Sequence, residues 1–162
     1  MYAAITMQQI LERKGYRVWS IEAGAKVVDA LRLMDEKNIG AVLVCEQKKI
    51  TGIFSERDYS RKLALAGKNS KNTLVKEVMT DQVLVVKPDQ KVEECLALMT
   101  NKFIRHLPVV DKDRQVIGIV SIGDIVKELI AEQEFVIDQL VNYISGEKPH
   151  APVANKAEIE LP

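Results

Sequence analysis

The chain has 162 residues, 47% hydrophobic, 28% charged and 5% aromatic, with 23 basic residues balanced by 23 acidic ones. This composition excludes a chain disordered throughout, and the length allows one domain or two small units sharing a core. Zero net charge argues against a dedicated nucleic-acid binder, and no apolar run reaches the roughly 18 residues of a membrane helix. Met1–Thr6 lacks the charged start and apolar stretch of a secretion signal. Cys45 and Cys95 lie in apolar segments, form no CxxC and no His/Cys cluster, and read as buried reduced thiols. A cytoplasmic setting without structural zinc is therefore expected.

In chain order, Thr6-Met7-Gln8-Gln9 has the form of a capping box opening a short helix that stops near Gly15. A strand over Val18–Ile21 leads into a helix whose Val27, Ala30, Leu31 and Met34 make one apolar stripe. Two β-rich runs, Ala41–Cys45 and Ile50–Phe54, predict a hairpin, followed by a helix over Glu56–Ala66 that ends at Gly67. The polar segment Lys68–Thr73 reads as a linker. A strand over Val83–Val86, a helix striped by Val92, Cys95, Leu96 and Met99, and a hairpin of His106–Val110 with Val116–Val120 come next. The last helix runs from about Ile122 to Ile144, and from Gly146 a polar, Pro-containing tail predicts disorder.

The second half repeats the first. Lys26-Val27-Val28-Asp29-Ala30-Leu31-Arg32-Leu33-Met34 aligns with Lys91-Val92-Glu93-Glu94-Cys95-Leu96-Ala97-Leu98-Met99 at a shift of 65. Gly52-Ile53-Phe54-Ser55-Glu56-Arg57-Asp58 aligns with Gly118-Ile119-Val120-Ser121-Ile122-Gly123-Asp124 at a shift of 66, the extra residue falling in the turn Asp111–Gln115. Each unit reads β-α-β-β-α and, at about 60 residues, buries too little surface to stand alone. An α+β fold of two units packed sheet to sheet follows. The expected boundaries are an N-terminal helix at 1–15, repeats at 16–67 and 75–145, a linker at 68–74 and a tail at 146–162.

The recurring Ser-x-x-Asp stands where a buried strand turns into a helix. Ser at the N-cap with an acid at N3 is a reciprocal cap. The same place offers free amides and partial positive charge to a phosphate, and its carboxylate suits ribose hydroxyls. Both readings stay open on local sequence, and no G-x-G-x-x-G or P-loop is present.

Occurring twice, each time after a β-α-β unit, this G-h-h-S-x-x-D pattern resembles the tandem CBS-domain, or Bateman, module over about residues 14–135. The resemblance implies two βαββα units related by a pseudo-twofold axis, a regulatory rather than catalytic role, and adenine nucleotides held in two clefts. AMP is the first expectation, with ATP, ADP, NAD or S-adenosylmethionine as alternatives. One cleft would use Ile53, Ser55, Arg57 and Asp58, with Thr80, Leu84, Ile104, Arg105 and His106 opposite. The other would use Ile119, Ser121 and Asp124, with Lys14, Trp19, Ile39 and Gly40 opposite.

Arg57 and Arg105 make the first cleft the expected phosphate site, because guanidinium groups clamp phosphate in bidentate fashion. The second has only Lys14 clearly available. His106 lacks a nucleophile and orienting acid in sequence, so a packed or phosphate-facing role is preferred to catalysis. Trp19 suits core packing or adenine contact, and Met34 and Met99 suit core filling. The basic stretch Arg57, Arg61, Lys62, Lys68 and Lys71 reads as a solvated face, with nucleic-acid contact as its alternative. Apolar residues in the last helix, from Ile125 to Ile144, exceed what one small unit buries and mark a partner site; the resemblance implies that the partner is a second copy, in a homodimer. The competing view is an interaction or scaffold protein with vestigial clefts whose Ser-x-x-Asp pairs only cap helices. A downstream protein partner is implied but not identified.

Overall fold

A computed structural model describes residues 5–47 and 49–146. The tail expected from Gly146 onward, including His150, lies beyond the described residues apart from Gly146 itself. The chain divides into two compact units, Met1–Ile122 and Gly123–Pro162.

In the first unit, helix α1 (Met7–Lys14) opens on the predicted capping box. The Gln9 amide donates to the Thr6 hydroxyl, and the Gln9 side chain accepts from the Thr6 amide at 2.9 Å. Strand β1 (Ser20–Glu22) runs parallel to β2 (Ala41–Glu46), which pairs antiparallel with β3 (Lys49–Ser55). Between β1 and β2 lies α2 (Val27–Lys37), which buries Val27, Ala30 and Met34. A short α3 (Glu56–Asp58) continues as a π-helical stretch, Tyr59–Ala64, in place of the regular helix expected to Ala66. Ala23, Val27, Ala30, Met34, Val42, Val44, Phe54 and Leu63 form one buried cluster. Phe54, fully buried, is its largest member.

The second repeat follows the same plan with α4 (Val92–Lys102), β4 (His106–Val110), β5 (Val116–Ser121) and α5 (Ile122–Ser145). Equivalence reaches fine detail. The β2–β3 register shifts between Val44 and Cys45, and the β4–β5 register between Val109 and Val110. The Glu56 amide donates to Gly40 O at 3.2 Å, as the Ile122 amide donates to Arg105 O at 2.9 Å.

One predicted strand is cut short. Val83–Val86 survives only as a parallel bridge between Val86 and Val109. In repeat 1 the bonds Leu43 N to Trp19 O (3.1 Å) and Ala23 N to Cys45 O (2.8 Å) extend the ladder. Sixty-five residues on, the donors are Pro108 and Pro88, which have no N–H. Only the middle pair remains, Val86 N to Pro108 O (3.0 Å) and Val110 N to Val86 O (2.9 Å).

The segments preceding the repeats are exchanged. Thr6 bridges to Lys91, and Met7 N and Gln8 N donate to Gln90 O and Pro88 O, so α1 is tied to repeat 2. Leu74 bridges to Lys26, and Val75 N donates to Ala25 O at 2.9 Å, so the 3₁₀ turn Val75–Glu77 is tied to repeat 1. Val75 and Val78 complete the repeat 1 core. Glycines admit both segments. A Cβ on Gly52 would lie 2.5 Å from Met79 Sδ and 2.9 Å from Thr80 O, and one on Gly118 would lie 2.5 Å from Leu11 Cδ2. The fold is thus mixed α+β, two βαββα repeats in reciprocal contact, with a short N-terminal and a long C-terminal helix.

The second unit, taken by itself, is the body of α5. Ile125 is fully buried, whereas Val126, Ile130, Phe135, Ile137, Leu140, Val141 and Ile144 are 44–83% exposed. No helix among the described residues is long and apolar enough to cross a membrane. Cys45 and Cys95 are free thiols.

Candidate functional site

The first signature sits at the end of β3. Ile53 is fixed by a two-bond bridge to Thr80, with Ile53 N to Thr80 O at 2.9 Å and Thr80 N to Ile53 O at 2.8 Å. This brings Thr80 beside Asp58, which is 7% exposed. Asp58 Oδ2 accepts from the Ser55 amide (2.9 Å) and hydroxyl (2.8 Å). Oδ1 accepts from the Thr80 hydroxyl at 2.9 Å and pairs with Lys62 Nζ at 2.8 Å. Four donors use the roughly four lone-pair sites of a carboxylate. The capping reading of Ser55-x-x-Asp58 is therefore realised, but within a larger polar cluster.

Around that cluster lies a hollow of about 290 Å³. Ile53, Ser55, Arg57 and Asp58 line it from repeat 1, Thr80 from the connecting segment, and Ile104, Arg105 and His106 from repeat 2. Leu84 is not among the lining residues and is 39% exposed. The shortened strand keeps its backbone out of the ladder that holds its counterpart, Trp19.

Arg61, Lys62, Lys102 and Phe103 also line the hollow. Arg61 and Lys62, read from sequence as a solvated face, follow Arg57 and Asp58 by four residues and line the same wall. Both their basic character and their i, i+4 relation to the signature are legible in the sequence. Phe103 caps α4 in the left-handed region (φ 54°) and is 78% exposed. Its carbonyl accepts from the Arg57 guanidinium, which joins the two repeats. Five cationic side chains thus surround one carboxylate in a chain of zero net charge.

The second set of residues is only partly gathered. Lys14 Nζ donates to Ile119 O at 2.8 Å, which ties α1 to β5. Trp19 carries Lys37 at 4.7 Å and Arg17 at 5.6 Å from its ring centroid, adding two cations that sequence reading did not place there. Ile39 and Gly40 line a separate hollow of about 310 Å³ with Asp35 and Glu56. A Cβ on Gly40 would lie 3.5 Å from His106. Ser121 ends β5, while Asp124 falls in the second unit.

Chemically, the first hollow offers a buried acceptor, hydroxyl groups from Ser55 and Thr80, apolar surface from Ile53 and Ile104, and a ring of cations. That set suits a polar ligand with an anionic end.

Comparison with known proteins agrees with this plan. The family model described as "CBS domain" matches residues 9–65 and 75–131. A CBS domain-containing mitochondrial protein, CBSX3 of Arabidopsis thaliana, is 42% identical over 125 residues, covering 74% of this chain and 60% of that protein. A homoserine O-acetyltransferase of Methanohalobium evestigatum is 37% identical over 107 residues, 65% of this chain but 21% of the enzyme. The chain therefore spans less than two thirds of the first of these curated relatives and about a fifth of the second. Among solved structures, a putative signal-transduction protein with CBS domains from Burkholderia ambifaria superposes with a TM-score of 0.77 at 46% identity, covering 80% of this chain and 96% of that one. The CBS domain pair of protein MJ0100, solved with 5′-methylthioadenosine and S-adenosyl-L-methionine, has the same fold at 24% identity and a TM-score of 0.69, covering 80% of this chain and 99% of that one. Two matched repeats, a shared fold and the doubled strand-to-helix signature lead to one conclusion: the chain belongs to the CBS-domain family and carries two such domains in tandem.

Proposed function

We propose that this chain is a regulatory, non-catalytic module that binds an adenine nucleotide in the hollow around Asp58. The observation carrying the reading is the buried Asp58 carboxylate flanked by Ser55 and Thr80, with cations on one side and Ile53 and Ile104 on the other. Carboxylate and hydroxyls suit a ribose, the isoleucines a purine, and Arg57, Arg61, Lys102 and Arg105 the phosphates. The ligands of the MJ0100 pair, 5′-methylthioadenosine and S-adenosyl-L-methionine, share the adenine and ribose of this class but carry no phosphate. AMP, ADP, ATP and NAD are the candidates. Walls from both repeats make the ligand a bridge, so a ligand preferring one arrangement of the repeats shifts the population toward it, and a partner protein reads the shift. Free Cys45 and Cys95 suit a reducing compartment such as the cytoplasm.

A thermal-unfolding panel of these nucleotides tests the reading. The bound nucleotide raises Tm by about 5 °C at a hundredfold excess over Kd, and Asp58→Ala abolishes the rise. A flat panel instead favours the scaffold reading. One observation supports that alternative: Asp58 already has its hydrogen bonds satisfied within the chain.

We further propose that the exposed stripe of α5 is covered by a second copy. Val126, Ile130, Ile137, Leu140 and Ile144 follow a three-four spacing interrupted only by Gln133, the pattern of a helix that packs on another helix. Light scattering of the protein and of Ile137→Glu checks this; a monomer in both cases rejects it.

A further inference from the structure

Lys62 stands in the candidate site in an unexpected way. Its ammonium lies 2.8 Å from Asp58 Oδ1, 3.0 Å from the Thr80 hydroxyl and 3.1 Å from Met79 O. Three acceptors use all three of its donors. Of the four groups bonded to Asp58, the Ser55 amide and hydroxyl belong to the cap, and Thr80 is pinned by its bridge to Ile53. Lys62 alone is both charged and carried on a long flexible stem, with 43% of its side chain exposed.

A ribose hydroxyl reaching Asp58 must displace that ammonium. The exchange is unfavourable taken alone, because a neutral hydroxyl is a weaker donor to carboxylate than an ammonium. It becomes favourable when the released ammonium meets an anion. The geometry provides for this: Arg61, Lys102 and Arg105 line the same hollow, and their side chains have no hydrogen bond or ion pair among the described residues. Lys62 lines the same hollow as those three cations, so a phosphate drawn there shares the hollow with its ammonium.

Resting on the proposed nucleotide site, we infer that Lys62 is a specificity-determining residue. It competes with the ribose for Asp58 and, once displaced, joins the phosphate ligands, so the site disfavours uncharged adenosine and favours nucleotides with more than one phosphate.

Calorimetric titration of adenosine, AMP and ATP into the intact protein, Lys62→Met and Lys62→Gln tests the inference through opposite signs. In the wild type affinity rises from adenosine through AMP to ATP. In Lys62→Met adenosine binds about two- to fivefold more tightly, as the competing ion pair is gone, while ATP binds about tenfold more weakly. Lys62→Gln keeps a donor for Asp58 without the charge, so it shows the ATP loss with a smaller adenosine gain. Equal losses for all three ligands, or no change in any, overturn the inference while leaving the nucleotide site intact. If no adenine compound binds the wild type, the proposed function falls and takes this inference with it.

Discussion

Repeat 1 has a three-stranded sheet where repeat 2 has two strands and a single bridge, although both follow the same apolar pattern. Two prolines account for the difference, since Pro88 and Pro108 stand where Ala23 and Leu43 donate the outer bonds of the parallel ladder. Hydrophobic spacing thus decides which segments lie together, while backbone donors decide how far a sheet extends. The site shows the same lesson. Where repeat 1 has Asn38 and Gly40, repeat 2 has Phe103 and Arg105, and those two line the hollow around Asp58. Symmetry builds the frame, and departures from it furnish the site.

The sharpest way to break this comparison is at the paired glycines. Gly52→Ala must push against the Thr80 backbone as well as Met79, while the three atoms nearest a Cβ on Gly118 are all Leu11 side-chain carbons. Urea unfolding is expected to show a loss of about 3 kcal/mol for Gly52→Ala and a clearly smaller one for Gly118→Ala. Equal losses would mean that the two exchanged segments are held alike.

A second difference appears at alkaline pH. Cys95 occupies the position of Ala30, and burial, reinforced by the negative charge of Glu94, pushes its thiol up to about 11 from 9.0. The folded chain keeps that proton longer than the unfolded chain. Stability is therefore fully present below pH 9 and falls as pH rises toward 11, by on the order of 2 kcal/mol. Cys95→Ala, which copies repeat 1, removes this component, and unfolding curves of the two proteins between pH 8 and 11 measure it. Parallel curves refute it.

The smallest effect concerns the left-handed helix caps. Asn tolerates that conformation better than Phe, so Phe103→Gly gains about 1 kcal/mol or less where Asn38→Gly changes little. Thermal melts of both variants decide whether Phe103 stores strain beside the hollow.

Much of the frame was legible in the sequence. Apolar patterning located both hairpins and the last helix to within one residue and marked the buried stripes of α2 and α4, and Thr6 to Gln9 announced its cap. Val83–Val86 was overread because side-chain pattern says nothing about the N–H groups a partner strand lacks. The exchange of the leading segments was missed as well. Its trace is the pair Met7, Ile10, Leu11 and Val75, Val78, Met79, which align at a shift of 68 rather than 65. At the site, Arg61 and Lys62 follow Arg57 and Asp58 at i, i+4, a helical spacing that sets them on the signature's face. The saturation of Asp58 also depends on Thr80 approaching through the tertiary fold, which no local spacing encodes.

The exchanged segments bear on how the protein is made. Lys14 and its acceptor Ile119 are 105 residues apart, so α1 leaves the ribosome long before the surface that receives it exists. At ordinary synthesis rates of about 5–20 residues per second, that interval lasts seconds. Repeat 1 must likewise wait for Val75 and Val78 to close its core. Neither repeat can finish folding from its own residues as it emerges, and contacts of such long sequence separation slow the final step. Met7, Ile10 and Leu11 therefore spend the interval as exposed apolar surface on a nascent chain, a natural handle for a chaperone.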